Sequence, residues 1–123
     1  LPKEHPGHQA LVQQLNYLLE VLPKYADAQT GMWYQVLDCP EREGNYQEAT
    51  CSIMFTYAFL KGLRRGYIDP SHSEYILGLY PKFIDRFIRE NADGTISIDE
   101  TMCNGCGLCK GICKFDAIET VEV

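Results

Sequence analysis

Apolar residues recur every three or four positions in three separate stretches between Pro6 and Ile88, and this period constrains the 123-residue chain more than any other feature. Such a period lays one face of a helix against a core and does not suit a strand. Between Pro6 and Tyr25 the stripe is Leu11, Val12, Leu15, Leu18, Leu19 and Leu22, with Gln13, Gln14 and Glu20 opposite. From Ala26 to Gly44 the period gives way to Asp, Gly and Pro, which predicts a long connection with Trp33, Tyr34 and Gln35 as its ordered centre. Asn45 followed by Glu48 resembles a capping box, after which Ala49, Ile53, Met54, Tyr57, Ala58 and Leu60 carry a second helix towards Gly62 or Gly66, its broad face deeply buried. A third helix is expected from Asp69-Pro70, with Ile76, Tyr80, Phe83, Ile84, Phe87 and Ile88 as its stripe, ending before the turn Asn91 to Gly94. Pro81 lies inside that pattern and predicts a kink or a break into two helices.

Composition closes off several functions. A net charge of −6 opposes nucleic-acid binding, which needs a basic stripe. Lys61, Arg64 and Arg65 form a basic cluster that suits a solvated helix end. No apolar run reaches membrane-spanning length, so neither a nucleic acid nor a membrane is an expected partner. His5, His8 and His72 have no metal-site spacing and are expected at the surface. Cys51 reads as a buried structural thiol, and Asp38 and Asp85 as surface or capping residues.

The end of the chain changes character. Cys103, Cys106, Cys109 and Cys113 stand at spacings of two, two and three, the bacterial iron–sulfur ligand pattern, with Gly105, Gly107 and Gly111 permitting tight turns between them. In that pattern the fourth cysteine ordinarily serves a second cluster, so the fourth ligand here is open between Cys113 itself, a distant thiol such as Cys39 or Cys51, and Cys113 of a second chain. Lys114 stands where a proline usually follows. Zinc is the alternative ion, though it takes its thiolates more often from two separated pairs. Disulfides are disfavoured by the close spacing and the absence of an evident leader. Thiols kept as ligands imply a reducing compartment, most simply the cytoplasm.

Thr95-Ile-Ser-Ile-Asp99 alternates like a short strand before these cysteines, and Ala117 to Val123 is β-branched and extended after them. Strand, ligand loop, turn and strand, with Gly-Cys-Gly-Leu-Cys109 and Phe115-Asp-Ala-Ile118, resemble one half of a bacterial two-cluster ferredoxin over residues 96–123. The resemblance implies a 4Fe-4S cluster serving electron transfer or structure, a redox protein as partner, and a homodimer in which the two halves share clusters.

The helical part carries a second resemblance. Thr30-Gly-Met-Trp-Tyr-Gln-Val-Leu-Asp38, Gly44-Asn-Tyr-Gln-Glu48, Met54-Phe55, Tyr57-Ala58, Lys61-Gly62 and Gly66-Tyr67 occur in the order found in the unsaturated rhamnogalacturonyl hydrolases, a family of glycoside hydrolases. Residues 1–99 resemble the C-terminal part of that family's toroid of six paired helices. The resemblance implies hydration of the double bond of an unsaturated uronic acid by an aspartate acid/base that belongs to an earlier part of the family's sequence. This chain alone is therefore expected to be inactive in hydrolysis. It further implies that Trp33, Tyr34, Gln35, Asn45, Tyr46 and Glu48 lie towards the sugar-binding end, where aromatic faces stack on sugars and amides bind hydroxyls. The bland alternative makes Trp33 and Tyr46 core fillers and Glu48 a cap. Cys103 and Gly107-Leu108 fit either resemblance.

The expected architecture is mainly α: a helical, toroid-like segment over residues 1–95 and a small β-containing unit over 96–123. Three functions follow. One is a partial, hydrolytically inactive glycosidase with a C-terminal cluster, and another is a hydrolase fragment active on an unsaturated oligosaccharide only with its missing part. The third is a zinc-stabilised interaction module.

Overall fold

The computed structural model describes residues 1–98, 110–111, 113 and 117–118. Among the described residues three helices and a small hairpin follow one another: α1 (His8–Val21), α2 (Ala49–Arg64), α3 (Ser73–Phe87), β1 (Ile88–Glu90) and β2 (Ile96–Ile98). The molecule is thus mainly helical with a small β part, as the periodicity implies.

Helix α1 runs into a 3-10 turn, Leu22–Tyr25, at the point where Pro23 has no N–H to offer. Leu19 and Leu22 are buried, whereas Leu11, expected in the stripe, is 58% exposed. It lies on the solvent side because the core is reached only by the later turns of the helix. Between α1 and α2 the long connection is ordered by Asp27, whose Oδ1 accepts from the Gln29 and Thr30 amides at 3.0 and 2.8 Å. Gly31, at φ +72, makes the return turn that a side chain would strain.

The cap of α2 is Glu48 itself, not Asn45. The Glu48 carboxylate accepts from the Thr50 amide at 3.0 Å and the Cys51 amide at 2.6 Å. Asn45 instead bonds back to Val36 and Cys39, closing the preceding loop. At the other end Gly66 (φ +68) donates to Leu63 and Tyr67 to Gly62, the paired bonds of a Schellman termination. The buried side of α2 is Ser52, Thr56, Phe59 and Gly62, while Met54 and Tyr57 face outward. This corrects the expected apolar face. Small residues win the inner side because bulky neighbours must approach the helix closely: Trp33 donates its amide to Ser52 Oγ at 3.1 Å, and Leu15 and Ile68 crowd Gly62.

Asp69 caps a 3-10 turn, Pro70–His72, that leads into α3. Pro81 does not divide this helix, which continues through it to Phe87. Its ring sits on the exposed side, so the missing bond falls where solvent can satisfy the freed carbonyl. Ile76, Leu79, Phe83 and Phe87 are buried; Tyr80 is exposed, and Ile88 leaves the helix as the first residue of β1. The hairpin pairs Ile88 with Ile98, Arg89 with Ser97 and Glu90 with Ile96, antiparallel. Gly94, at φ +80, completes its turn. The strand expected before the cysteines therefore packs as a partner of α3's own continuation. Of the strand expected over 117–123, Ala117 and Ile118 are described and belong to no strand; the rest lies outside the described residues.

Helices α2 and α3 make the main interface, and α1 meets α2 through Leu15 and Gly62. Leu19, Leu22, Met32, Trp33, Phe59, Ile68, Ile76, Leu79, Phe83 and Phe87 form one core. Burial of each larger apolar side chain contributes on the order of 2 kcal/mol.

Candidate functional site

Residues 26–48 fold back over the N-terminus of α2 and hold the sequence-expected binding residues. Trp33 anchors the segment. It is fully buried, its indole Nε1 donates to the Leu22 carbonyl at 2.8 Å, and its ring meets Phe55 edge-on with centroids 5.2 Å apart. Its ring therefore presents no face to a ligand, and the core-filling alternative describes its position. Tyr34 and Gln47 pair across an antiparallel bridge, and the Gln35 amide donates to the Tyr46 carbonyl at 2.9 Å. This sets exposed Gln35 and Tyr46, the latter 41% accessible, on adjacent segments of the loop.

Tyr34 is half-buried and lines an open depression of about 300 Å³ with Tyr25, Asp27, Leu37 and Asp38. Its hydroxyl reaches Asp27 Oδ2 at 3.4 Å. The backbone N–H of Thr30 holds the Asp27 carboxyl below its ordinary value, against the opposing effect of burial. Asn45 spends its side-chain amide on Val36 and Cys39, and Glu48 spends its carboxylate on the helix cap. Burial of Glu48 favours protonation, but the donors at Cys51 and Thr50 outweigh it and the pKa is lowered. Of the six residues, then, Tyr34, Gln35 and Tyr46 offer surface to a ligand; Asn45 and Glu48 shape the loop; and Trp33 supports it from below.

Cys51 lies beside the same cap, half-buried, with its thiol pushed up to about 11 by burial and then by Glu48. The structural reading of this thiol agrees with that environment. Asp38 and Asp85 are exposed, as are His5 and His72; His8 is half-buried and packs edge-on against Tyr67.

A second cleft, of about 380 Å³, is not anticipated by any sequence motif. It is lined by Gln29, Thr30, Lys82, Asp85, Arg86 and Arg89. The signal was present as the spacing of Lys82, Arg86 and Arg89, which places three cations along one side of α3 and its continuation. Only the fold shows that the turn at Thr30 closes the other wall.

Cys103, Cys106 and Cys109 lie outside the described residues, and Cys113 is half-buried. Among the described residues no group of three or more His, Cys, Asp or Glu side chains converges to hold a metal. Among those residues no helix is long and apolar enough to cross a membrane.

Comparison with known proteins accounts for the helical part. A glycoside hydrolase from family 105 of C. acetobutylicum matches with a TM-score of 0.74 and 45% sequence identity, over 80% of this chain and 27% of that one. The 24.9 kDa protein in the picA locus of Rhizobium radiobacter is 50% identical over 38 residues, which are 31% of this chain and 16% of that protein. An iron-sulfur subunit of the CoB–CoM heterodisulfide reductase of Methanopyrus kandleri is 57% identical over 28 residues, 23% of this chain and 4% of that protein. This chain thus spans only a minor part of each of these proteins. The glycoside hydrolase resemblance carried by the helical motifs holds. A family match over residues 1–111, joined to a shared helical architecture at 45% identity, means that this chain belongs to Glycosyl Hydrolase Family 88.

Proposed function

We propose that this chain forms part of the carbohydrate-binding wall of a hydrolase acting on unsaturated uronyl sugars, and that alone it binds such an oligosaccharide without cleaving it. The observation that carries the reading is the bridge between Tyr34 and Gln47, which sets exposed Gln35 opposite exposed Tyr46 through a backbone hydrogen bond. An aromatic face stacks on sugar C–H groups, and an amide both donates to and accepts from hydroxyls. Cleavage needs a group that can deliver a proton. Asp27 and Glu48 are both held ionised by backbone N–H groups, so neither is suited to act as the general acid at neutral pH. The resemblance further implies that the family's catalytic aspartate lies in an earlier part of the family's sequence.

The test is calorimetric titration of the 123-residue chain with an unsaturated uronyl disaccharide, beside the ultraviolet absorbance of the sugar's double bond. Binding with unchanged absorbance is expected, and Tyr46→Ala should weaken it several-fold. Loss of absorbance would overturn the inactivity of the chain alone; absence of binding would overturn the wall.

We infer a second role for residues 96–123. The 28-residue likeness to an iron-sulfur protein supports the thiol spacing. Four thiolates from Cys103, Cys106, Cys109 and Cys113 suit a 4Fe-4S cluster, which would supply one-electron transfer to a redox protein. On this reading the helical unit covers residues 1–95, the compartment is the cytoplasm, and a homodimer shares clusters through Cys113. Iron, labile sulfide and zinc measured together after anaerobic purification decide the matter. Equal iron and sulfide are expected; stoichiometric zinc would make the cysteines a structural staple.

A further inference from the structure

We infer that the cleft between α3 and the Gln29–Thr30 turn is a subsite for the carboxylate of an acidic sugar, separate from the surface around Gln35 and Tyr46. The inference rests on the carbohydrate reading for the kind of ligand and on the cleft's own chemistry for its charge. In a chain of net charge −6, the described lining of this cleft sets Lys82 and Arg86, with Arg89 beside them, against Asp85. Such a local reversal of sign attracts an anion.

Two of the cations run close against the rest of the fold, and one of them is anchored. The Lys82 side chain lies across Gly31: a Cβ built there would come within 3.0 Å of Lys82 Cδ and 3.3 Å of Nζ. Glycine at φ +72 thus permits both the turn and the close passage of the lysine. Arg86 donates Nε–H to Oε1 of buried Gln47 at 2.6 Å, and its guanidinium lies 5.5 Å from the centre of the Phe87 ring. Anchoring one edge of the guanidinium orients the rest of its fork, which suits a planar carboxylate better than a diffuse ion atmosphere. Gln29, exposed on the opposite wall, brings an amide that matches neighbouring hydroxyls. Gln47 joins this cleft to the binding surface, since the residue that anchors Arg86 is also the bridge partner of Tyr34. The Gln29–Thr30 wall of the cleft and the surface at Gln35 and Tyr46 belong to the same connection between α1 and α2.

The experiment titrates the 123-residue chain with three probes: a galacturonate trisaccharide, its carboxyl-reduced neutral counterpart, and inorganic phosphate. Wild type is compared with Lys82→Ala, Arg86→Lys and Tyr46→Ala, with circular dichroism to verify folding. The acidic trisaccharide is expected to bind more tightly than the neutral one, and to weaken as salt is raised. Lys82→Ala should weaken the acidic probe by about tenfold, as for loss of a charge-assisted hydrogen bond, and leave the neutral probe unchanged. Arg86→Lys keeps the charge but loses the fork, and should also weaken only the acidic probe. Tyr46→Ala should weaken both. Equal binding of the two saccharides, insensitive to Lys82→Ala, would overturn the subsite and leave the carbohydrate wall standing. Phosphate competing as strongly as the trisaccharide would reduce the cleft to a simple anion site, and binding of neither saccharide would overturn both readings.

Discussion

Glu48 shows at the scale of one residue how a sequence signal and a structural role diverge. The pattern Asn45 to Glu48 suggests a reciprocal capping box, yet Glu48 does the capping alone and Asn45 ties the loop. Glu48→Ala is expected to destabilise the chain by about 1 kcal/mol at neutral pH, measured by urea unfolding. The pH dependence has a definite sign. A carboxylate whose folded pKa lies below its ordinary value of 4.5 stabilises above that value, and the contribution disappears as pH falls through the lower, folded value. The difference between wild type and Glu48→Ala should therefore shrink on acidification; a difference that grows would refute the cap. The neighbouring thiol tests the same environment. With Cys51 raised to about 11 and Cys39 exposed, alkylation at neutral pH followed by peptide mapping should modify Cys39 well before Cys51. These residues are plain in the sequence, but the bonds of Asn45 to Val36 and Cys39 and the Trp33 carbonyl beside Cys51 come from the folded-back loop, which periodicity does not reveal.

Among the elements, two glycines in helices make opposite forecasts. Gly78 in α3 has open space where a Cβ would go, so Gly78→Ala should stabilise by up to about 1 kcal/mol through helix propensity. In α2 the Cβ of Gly62→Ala would stand 2.7 Å from Ile68 Cδ1 and 2.8 Å from Leu15 Cδ2. Overpacking there should cost about 1–3 kcal/mol, exceeding the same propensity gain. Thermal unfolding of both variants checks the pair, and a stabilised Gly62→Ala would show that α1 and α2 do not approach closely. The existence and order of the helices were legible because their periods are strong. The inner face of α2 was not, because Ser52, Thr56 and Gly62 are selected for small volume and not for hydrophobicity. Pro81 misled for a related reason: its cost depends on which side of the helix faces water.

Among the described residues several large apolar side chains stand exposed on the helices. Met54 and Tyr57 on α2 are 63% and 58% accessible, and Leu77 and Tyr80 stand one turn apart on α3. Such faces favour association, so sedimentation should show concentration-dependent self-association, reduced by Met54→Glu with Tyr57→Lys. A compact monomer at every concentration, without binding of an apolar dye, would contradict this. By itself the sequence determined the helical class, the family resemblance and the thiol spacing, because each is written in local periods, ordered motifs or fixed intervals. Only the tertiary structure decided that Trp33 is enclosed, that β2 pairs with the continuation of α3, and that Lys82 and Arg86 face the Thr30 turn. Those outcomes depend on which distant surfaces meet, and close packing, unlike periodicity, is settled only when all the volumes are assembled at once.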